Sequence, residues 1–182
     1  MIEAEHSVVI GTGVDNVWDY VQDIRRWADL FPGCKACEVI DDNNSKWLIK
    51  VGAGGMVKTV NVLVNVEQWN GPEKVNFSYK LESEPVVGSG SYTALRQGKN
   101  ATEVNLHVRV EGSGQMAPMW EAMSRPLLPQ MAKSFAGKLK DEIEEANGIV
   151  IAPRSSMRST IGQWLRRLWQ SVLGIGRKGD AG

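Results

Sequence analysis

The fold turns on the stretch GVDNVWDYVQDIRRWADLFPGC, residues 13–34. Val14, Val17, Trp18 and Val21 recur at helical spacing, and Ile24, Trp27, Leu30 and Phe31 repeat the pattern. Asp15 is a candidate cap for the first helix and Asp23 for the second, because a short carboxylate accepts from the free amides of a first turn. Pro32 and Gly33 stop the second helix. Two short amphipathic helices in succession need a surface to lie on.

The flanking sequence supplies it. Upstream, Glu5–Thr12 is rich in Val and Ile and runs into Gly11 and Gly13, the pattern of a strand ending in a turn. Downstream, from Cys37 to about Glu111, the period changes to two. Trp47, Ile49 and Val51 alternate with Lys46, Leu48 and Lys50, and Val60, Val62, Val64 and Val66 with Thr59, Asn61, Leu63 and Asn65. Further runs hold Val75, Phe77, Tyr79 and Leu81, then Val104, Leu106, Val108 and Val110. Turn-forming pieces at Asp41–Asn44, Asn70–Pro72 and Gly98–Asn100 separate the runs. The reading is six strands in a meander, with one sheet face wet and the other covered.

The cover is residues 116–147, where Met131, Phe135, Leu139 and Ile143 stand four apart and Lys133, Lys138, Lys140, Asp141, Glu142 and Glu145 fill the other side. Pro126 and Pro129 are expected to break or kink this helix, leaving a shorter piece with Met119, Trp120 and Met123 ahead of the main one. Gly148 is a candidate C-terminal cap.

Composition agrees with one domain and an appendage. The chain has 182 residues, 42% hydrophobic and 23% charged, which excludes whole-chain disorder. A core of this size needs no disulfide scaffold or structural metal. No run approaches the ~18 apolar residues of a spanning helix, and MIEAEHSVVI lacks the regions of a signal peptide, so the expected compartment is the cytoplasm. The sequon at Asn100–Thr102 then carries no meaning. Charge divides the chain: residues 149–182 hold six basic residues and one acid, a net of +5, which leaves −5 on residues 1–148. An acidic body is a poor match for a polyanion, so no nucleic-acid partner is expected.

The order strand, two short helices, six strands, long helix, with Trp18 in the helix pair and GSGQMAPMWEAM before the long helix, resembles the helix-grip fold of the START-like (SRPBCC) superfamily. The nearest resemblance is to the G-subunit family of carbon monoxide dehydrogenase, beside the polyketide cyclase and dehydrase group. It covers about residues 3–147, and its most specific piece is Phe31-Pro32-Gly33-Cys34. The resemblance implies an α+β domain over residues 1–148, in which a seven-stranded antiparallel curved sheet wraps the long helix and leaves an apolar cavity between them.

Candidate lining residues are Trp47, Ile49, Phe77, Tyr79, Leu106, Val108, Trp120, Met123, Met131 and Phe135. Apolar residues at strand and helix spacing are core by default, and it is the resemblance that turns them into a ligand site. Met116, Met119, Met123 and Met131 add an adaptable surface suited to variable apolar ligands.

Catalytic signals are sparse. His107 is expected on the wet face of its strand, His6 shares a face with Val8 and Ile10, and Tyr79, Glu84 and Arg109 have no partner at a recognisable spacing. No nucleophile elbow, Walker loop, dinucleotide fingerprint or metal-ligand spacing occurs, so no catalytic residue, cofactor or metal is assigned. Gly52, Gly54 and Gly55 read as a flexible hairpin at the cavity mouth. Cys34 and Cys37 form C-x-x-C, but the motif follows Pro-Gly and enters a strand, the wrong context for a thioredoxin-like pair, so packing is expected.

In the tail, Met157, Ile161, Trp164, Leu165, Leu168 and Val172 follow a helical stripe, with Trp169 at its edge, Arg166 and Arg167 opposite and Arg158 at the boundary. Tryptophan and leucine on one face and arginine on the other suit an anionic membrane surface. Packing on the protein's own body, or on a protein partner, are the alternatives. The leading expectation is a carrier of an apolar molecule, a lipid or isoprenoid quinone, docked peripherally on the inner face of the membrane. The G-subunit resemblance implies a molybdenum hydroxylase of the carbon monoxide dehydrogenase type as partner. A polyketide cyclase-like enzyme and a ligand-free membrane-recruitment adaptor are the alternative functions.

Overall fold

The computed structural model describes residues 1–53 and 55–149. Within them the two sequence periods sort into β1 (Ile2–Ile10), α1 (Val14–Val21), α2 (Ile24–Leu30), β2 (Cys34–Val39), β3 (Asn44–Ala53), β4 (Met56–Asn70), β5 (Lys74–Leu81), β6 (Val86–Arg96), β7 (Thr102–Gly112) and, after a single 3-10 turn, α3 (Ala117–Ala146). The strands form one antiparallel sheet in the order β1-β7-β6-β5-β4-β3-β2. Strands β2 to β7 are the expected meander, and β1 closes onto the last of them. Since β1 and β2 lie at opposite edges, the helix pair α1–α2 carries the chain from one edge to the other. The expected tail helix, with Arg158, Ile161, Trp164, Leu165, Arg166, Arg167, Leu168, Trp169 and Val172, lies outside the described residues, as does Gly54 of the hairpin.

Alternation decides which face is covered. Trp47 and Ile49 of β3, Val60, Val62, Val64 and Val66 of β4, Val75 of β5, and Val104, Leu106 and Val110 of β7 are all buried. Leu139 and Ile143 meet them from α3 and are no more than 1% exposed. Each such side chain contributes on the order of 1.5–3 kcal/mol by leaving water.

Two caps differ in kind. Asp23 caps α2 as expected, its carboxylate accepting from the Arg25 amide at 3.0 Å. Asp15 does not cap α1. Val14 is buried and enters the helix, which moves the cap position back to Gly13, where no side chain can accept. Asp15 lies inside the first turn instead, 3.5 Å from Arg96. Its charge still faces the positive end of the helix.

Gly33 explains why the FPGC corner is specific. Its φ of +86° favours glycine, and a Cβ there would overlap the carbonyl of Lys50. The same approach lets the Gly33 carbonyl accept from the Lys50 amide at 2.8 Å, tying the exit of α2 to β3.

The helix α3 departs from expectation. Pro126 and Pro129 do not divide it: the helix runs unbroken for 30 residues. A proline deprives only the carbonyl four residues earlier of its donor, here those of Ala122 and Arg125. Both residues and both prolines are exposed, so water can satisfy those carbonyls. At the other end Gly148 acts as expected. It takes φ +68°, its amide bonds the Glu145 carbonyl, and the Ile149 amide bonds that of Glu144, a Schellman closure.

Candidate functional site

The helix α3 packs chiefly on β1 and β7 and touches β3, so the inner faces of β4, β5 and β6 stand off from it. The gap is a cavity of about 180 Å³. Its walls include Val60, Val62 and Val64 of β4, Phe77, Tyr79 and Leu81 of β5, Val86 and Tyr92 of β6, and Met123, Leu127, Leu128, Met131 and Phe135 of α3, with Trp27 of α2 and Phe31 just after it.

Every one of the ten expected lining residues is in this wall: Trp47, Ile49, Phe77, Tyr79, Leu106, Val108, Trp120, Met123, Met131 and Phe135. Residue spacing alone did not single out Val21, Trp27, Phe31, Tyr92, Leu127, Leu128 and Leu139 as wall residues. Trp27 and Phe31 carried a signal, since both belong to the apolar repeat of the helix-pair sequence, Phe31 at the residue that ends α2. Tyr92 carried a weaker one, because Gly88 and Gly90 interrupt the alternation that would have placed it inward.

Those glycines have a structural reason. Gly88 pairs with Tyr79 and Gly90 with Phe77 across β5 and β6. A Cβ at either glycine would overlap the facing aromatic ring. The rings therefore lie across β6, and the Tyr79 hydroxyl reaches β7 to donate to the Arg109 carbonyl at 2.8 Å. At the helix-pair end, Trp27 packs edge-on to Phe77 with centroids 5.6 Å apart and also meets Trp69 at 5.8 Å. Its indole nitrogen donates to the Val21 carbonyl at 2.7 Å, which locks the ring. Phe31 meets Trp47 at 5.7 Å. Trp18 packs on Trp69 at 6.2 Å and lies outside the cavity wall.

One polar clasp borders the wall. The Trp120 indole donates to Glu84 at 3.3 Å, Lys58 pairs with the same carboxylate, and the Lys58 ammonium stands 5.3 Å from the Trp120 ring centre. The hydrogen bond from Lys58 holds the Glu84 carboxyl below the usual glutamate range. Glu84, isolated in the sequence, is thus joined to β4 and α3.

The remaining sequence candidates lie elsewhere. His107 is on the outer face, 3.8 Å from Glu3, and His6 is half-buried on β1 without lining the cavity. Cys34 and Cys37 are free thiols, both pushed up chiefly by burial, which disfavours the thiolate. No group of three or more metal-ligating side chains occurs among the described residues. Among the described residues, the titratable groups of the wall are the phenols of Tyr79 and Tyr92, both raised by desolvation, and none of these residues brings a carboxylate or an imidazole for acid or base chemistry. What the arrangement can do is shelter an apolar body.

A curved antiparallel sheet gripping one long helix, with an apolar cavity between them, defines a helix-grip protein of the START-like class. Residues 7–144 match the carbon monoxide dehydrogenase G-subunit family (CoxG), and the chain belongs to that family. No curated protein matches the sequence. Among solved structures, a conserved protein from Geobacillus kaustophilus is similar with a TM-score of 0.69 at 18% identity, covering 80% of this chain and 97% of its own. A START superfamily protein from Mycobacterium smegmatis is similar with a TM-score of 0.57 at 13% identity, over 77% of this chain and 98% of its own. An aromatase/cyclase from Streptomyces sp. R1128 is similar with a TM-score of 0.55 at 17% identity, over 80% and 97%. At these identities the likeness is one of fold. No helix among the described residues is long and apolar enough to cross a membrane.

Proposed function

We propose that this protein is a carrier: its body takes up an apolar small molecule, a lipid or isoprenoid quinone, and its basic tail docks it on the inner face of the membrane. The observation that carries the reading is the wall itself, which among the described residues holds no charged side chain and only a few hydroxyl groups. Apolar cavities of about 150 Å³ stay dry and take up a benzene-sized molecule. A space of about 180 Å³ therefore takes a ring or a short chain segment without rearrangement. Flexible Met123 and Met131 give the helix side of the wall room to adapt to more.

The tail part of the proposal rests on its tryptophan and leucine stripe and its +5 charge. Membership of the CoxG family supports a molybdenum hydroxylase of the carbon monoxide dehydrogenase type as the partner served at that surface. A cyclase is the weaker reading, because it needs an acid or base projecting into the cavity.

Native and denaturing mass spectrometry of freshly purified full-length protein, with analysis of an organic extract, tests the carrier. The expected result is a stoichiometric apolar adduct that leaves on denaturation. Protein recovered from its native membrane fraction with no adduct would remove the carrier in favour of an adaptor or an enzyme with a transient substrate.

A further inference from the structure

The cavity wall carries three indoles, two phenols and two serines, and all but one of their polar groups are accounted for among the described residues. The indoles of Trp27, Trp47 and Trp120 donate to the Val21 carbonyl, the Ser45 hydroxyl and the Glu84 carboxylate. Tyr79 donates to the Arg109 carbonyl. The Tyr92 hydroxyl is unpaired but keeps less than 1 Å² of accessible surface, so no occupant reaches it. Ser91 stands opposite Asn76 and His107, at an outward position of β6, so its backbone rather than its hydroxyl borders the cavity.

Ser124 remains. It is 8% exposed, and its hydroxyl bonds to no described residue. Unlike that of Tyr92, this hydroxyl is not sealed. Trp120 and Leu128 lie one turn before and after it on α3, with Leu127 and Met131 on the same side, and all four are wall residues, so the open surface of Ser124 faces the cavity. A serine inside a helix ordinarily returns its hydroxyl to the carbonyl four residues back, here that of Trp120, and Ser124 does not. Alanine would suit both the helix and the apolar wall better. A hydroxyl left unpaired and open in such a wall is matched by an oxygen that arrives with the occupant. An ion would not match it, because no charged side chain of the wall is there to replace its lost hydration.

We propose that the Ser124 hydroxyl is the polar anchor of this cavity, and that the molecule bound there is an apolar body bearing one neutral oxygen, a carbonyl or a hydroxyl, rather than a carboxylate, phosphate or ammonium. This rests on the reading of the cavity as a binding site and narrows the class of its ligand. A serine hydroxyl donates to a carbonyl and accepts from an alcohol, so either function satisfies it. Ser124 stands one helical turn from Trp120, whose indole meets Glu84 in the turn between β5 and β6. The oxygen is therefore held toward that turn and the apolar body toward Trp27 and Phe77.

The test compares acetophenone with α-methylstyrene, which differ by C=O in place of C=CH₂, binding to the full chain and to Ser124→Ala by NMR titration. In Ser124→Ala, acetophenone affinity is expected to fall about threefold to tenfold, the range of one hydrogen bond, while α-methylstyrene affinity is held or improved. Equal changes for the two probes, or none, would overturn the anchor and leave the cavity reading standing. Failure of both probes to bind the unaltered protein would overturn the cavity reading, and the anchor with it. Benzoate at neutral pH is expected not to bind; binding as tight as that of acetophenone would overturn the restriction to a neutral oxygen. A thermal melt adds a separate readout. Ser124→Ala is expected to melt no lower than the parent, because the hydroxyl has no bond to lose and alanine favours the helix. A clear drop would show the hydroxyl already bonded and would also overturn the proposal.

Discussion

The Tyr79 hydroxyl donates to the Arg109 carbonyl at 2.8 Å across an intervening strand, and it reaches that far because residue 88 has no side chain. One bond thus spans β5, β6 and β7 and holds the aromatic wall of the cavity flat. An alanine at residue 88 would place its Cβ against both the Tyr79 ring and the Arg109 backbone carbonyl, which a rotamer change cannot relieve. Gly88→Ala is expected to cost about 1–3 kcal/mol, as overpacking does. Tyr79→Phe removes only the bond and is expected to cost about 1 kcal/mol. Chemical denaturation of both variants checks the order; equal losses would mean that the glycine carries no packing role.

The clasp between Lys58, Glu84 and Trp120 sets a pH window. The folded carboxyl of Glu84 is depressed, so its contribution is fully present above the unfolded glutamate value near pH 4.5. It is lost as pH falls through the lower folded value. The stability difference between the parent and Glu84→Gln is therefore expected to be constant from about pH 7 to pH 5 and to shrink in more acid solution. Melting curves across that range check it; a difference that grows on acidification would contradict the assignment.

Met131 lines the cavity from α3 and is only half-buried, so a larger ring there can fill the space without displacing the fully buried Leu139 and Ile143. Met131→Trp is expected to abolish the adduct seen by native mass spectrometry while leaving the circular dichroism spectrum unchanged. An adduct at full stoichiometry would place the ligand elsewhere.

For the tail, the stripe of Ile161, Trp164, Leu165, Leu168 and Val172 supplies the burial and the arginines the attraction to anionic lipid. Removal of residues 149–182, or the double change Trp164→Ser and Trp169→Ser, is expected to release the protein from phosphatidylserine-containing liposomes. Neither change is expected to alter binding of an apolar probe. Undiminished liposome binding by the double variant would take the tail out of the account.

Element order and the inward face of most strands were legible in the sequence, because side-chain period is local and each strand or helix writes its own; that the ten inward-facing candidates border a cavity rather than a filled core was implied only by the family resemblance. The continuity of α3 was not, since whether Pro126 and Pro129 break a helix depends on whether water reaches the carbonyls they leave unpaired. Nor did residue order show that Glu84 meets Lys58 and Trp120, or that Gly88 and Gly90 make room for rings rather than end a strand. Those relations join residues that are distant in the chain and exist only once the strands are in register. The orphaned hydroxyl of Tyr92 belongs to the tertiary structure too: a polar atom is unsatisfied only relative to everything packed around it, and no local pattern records that.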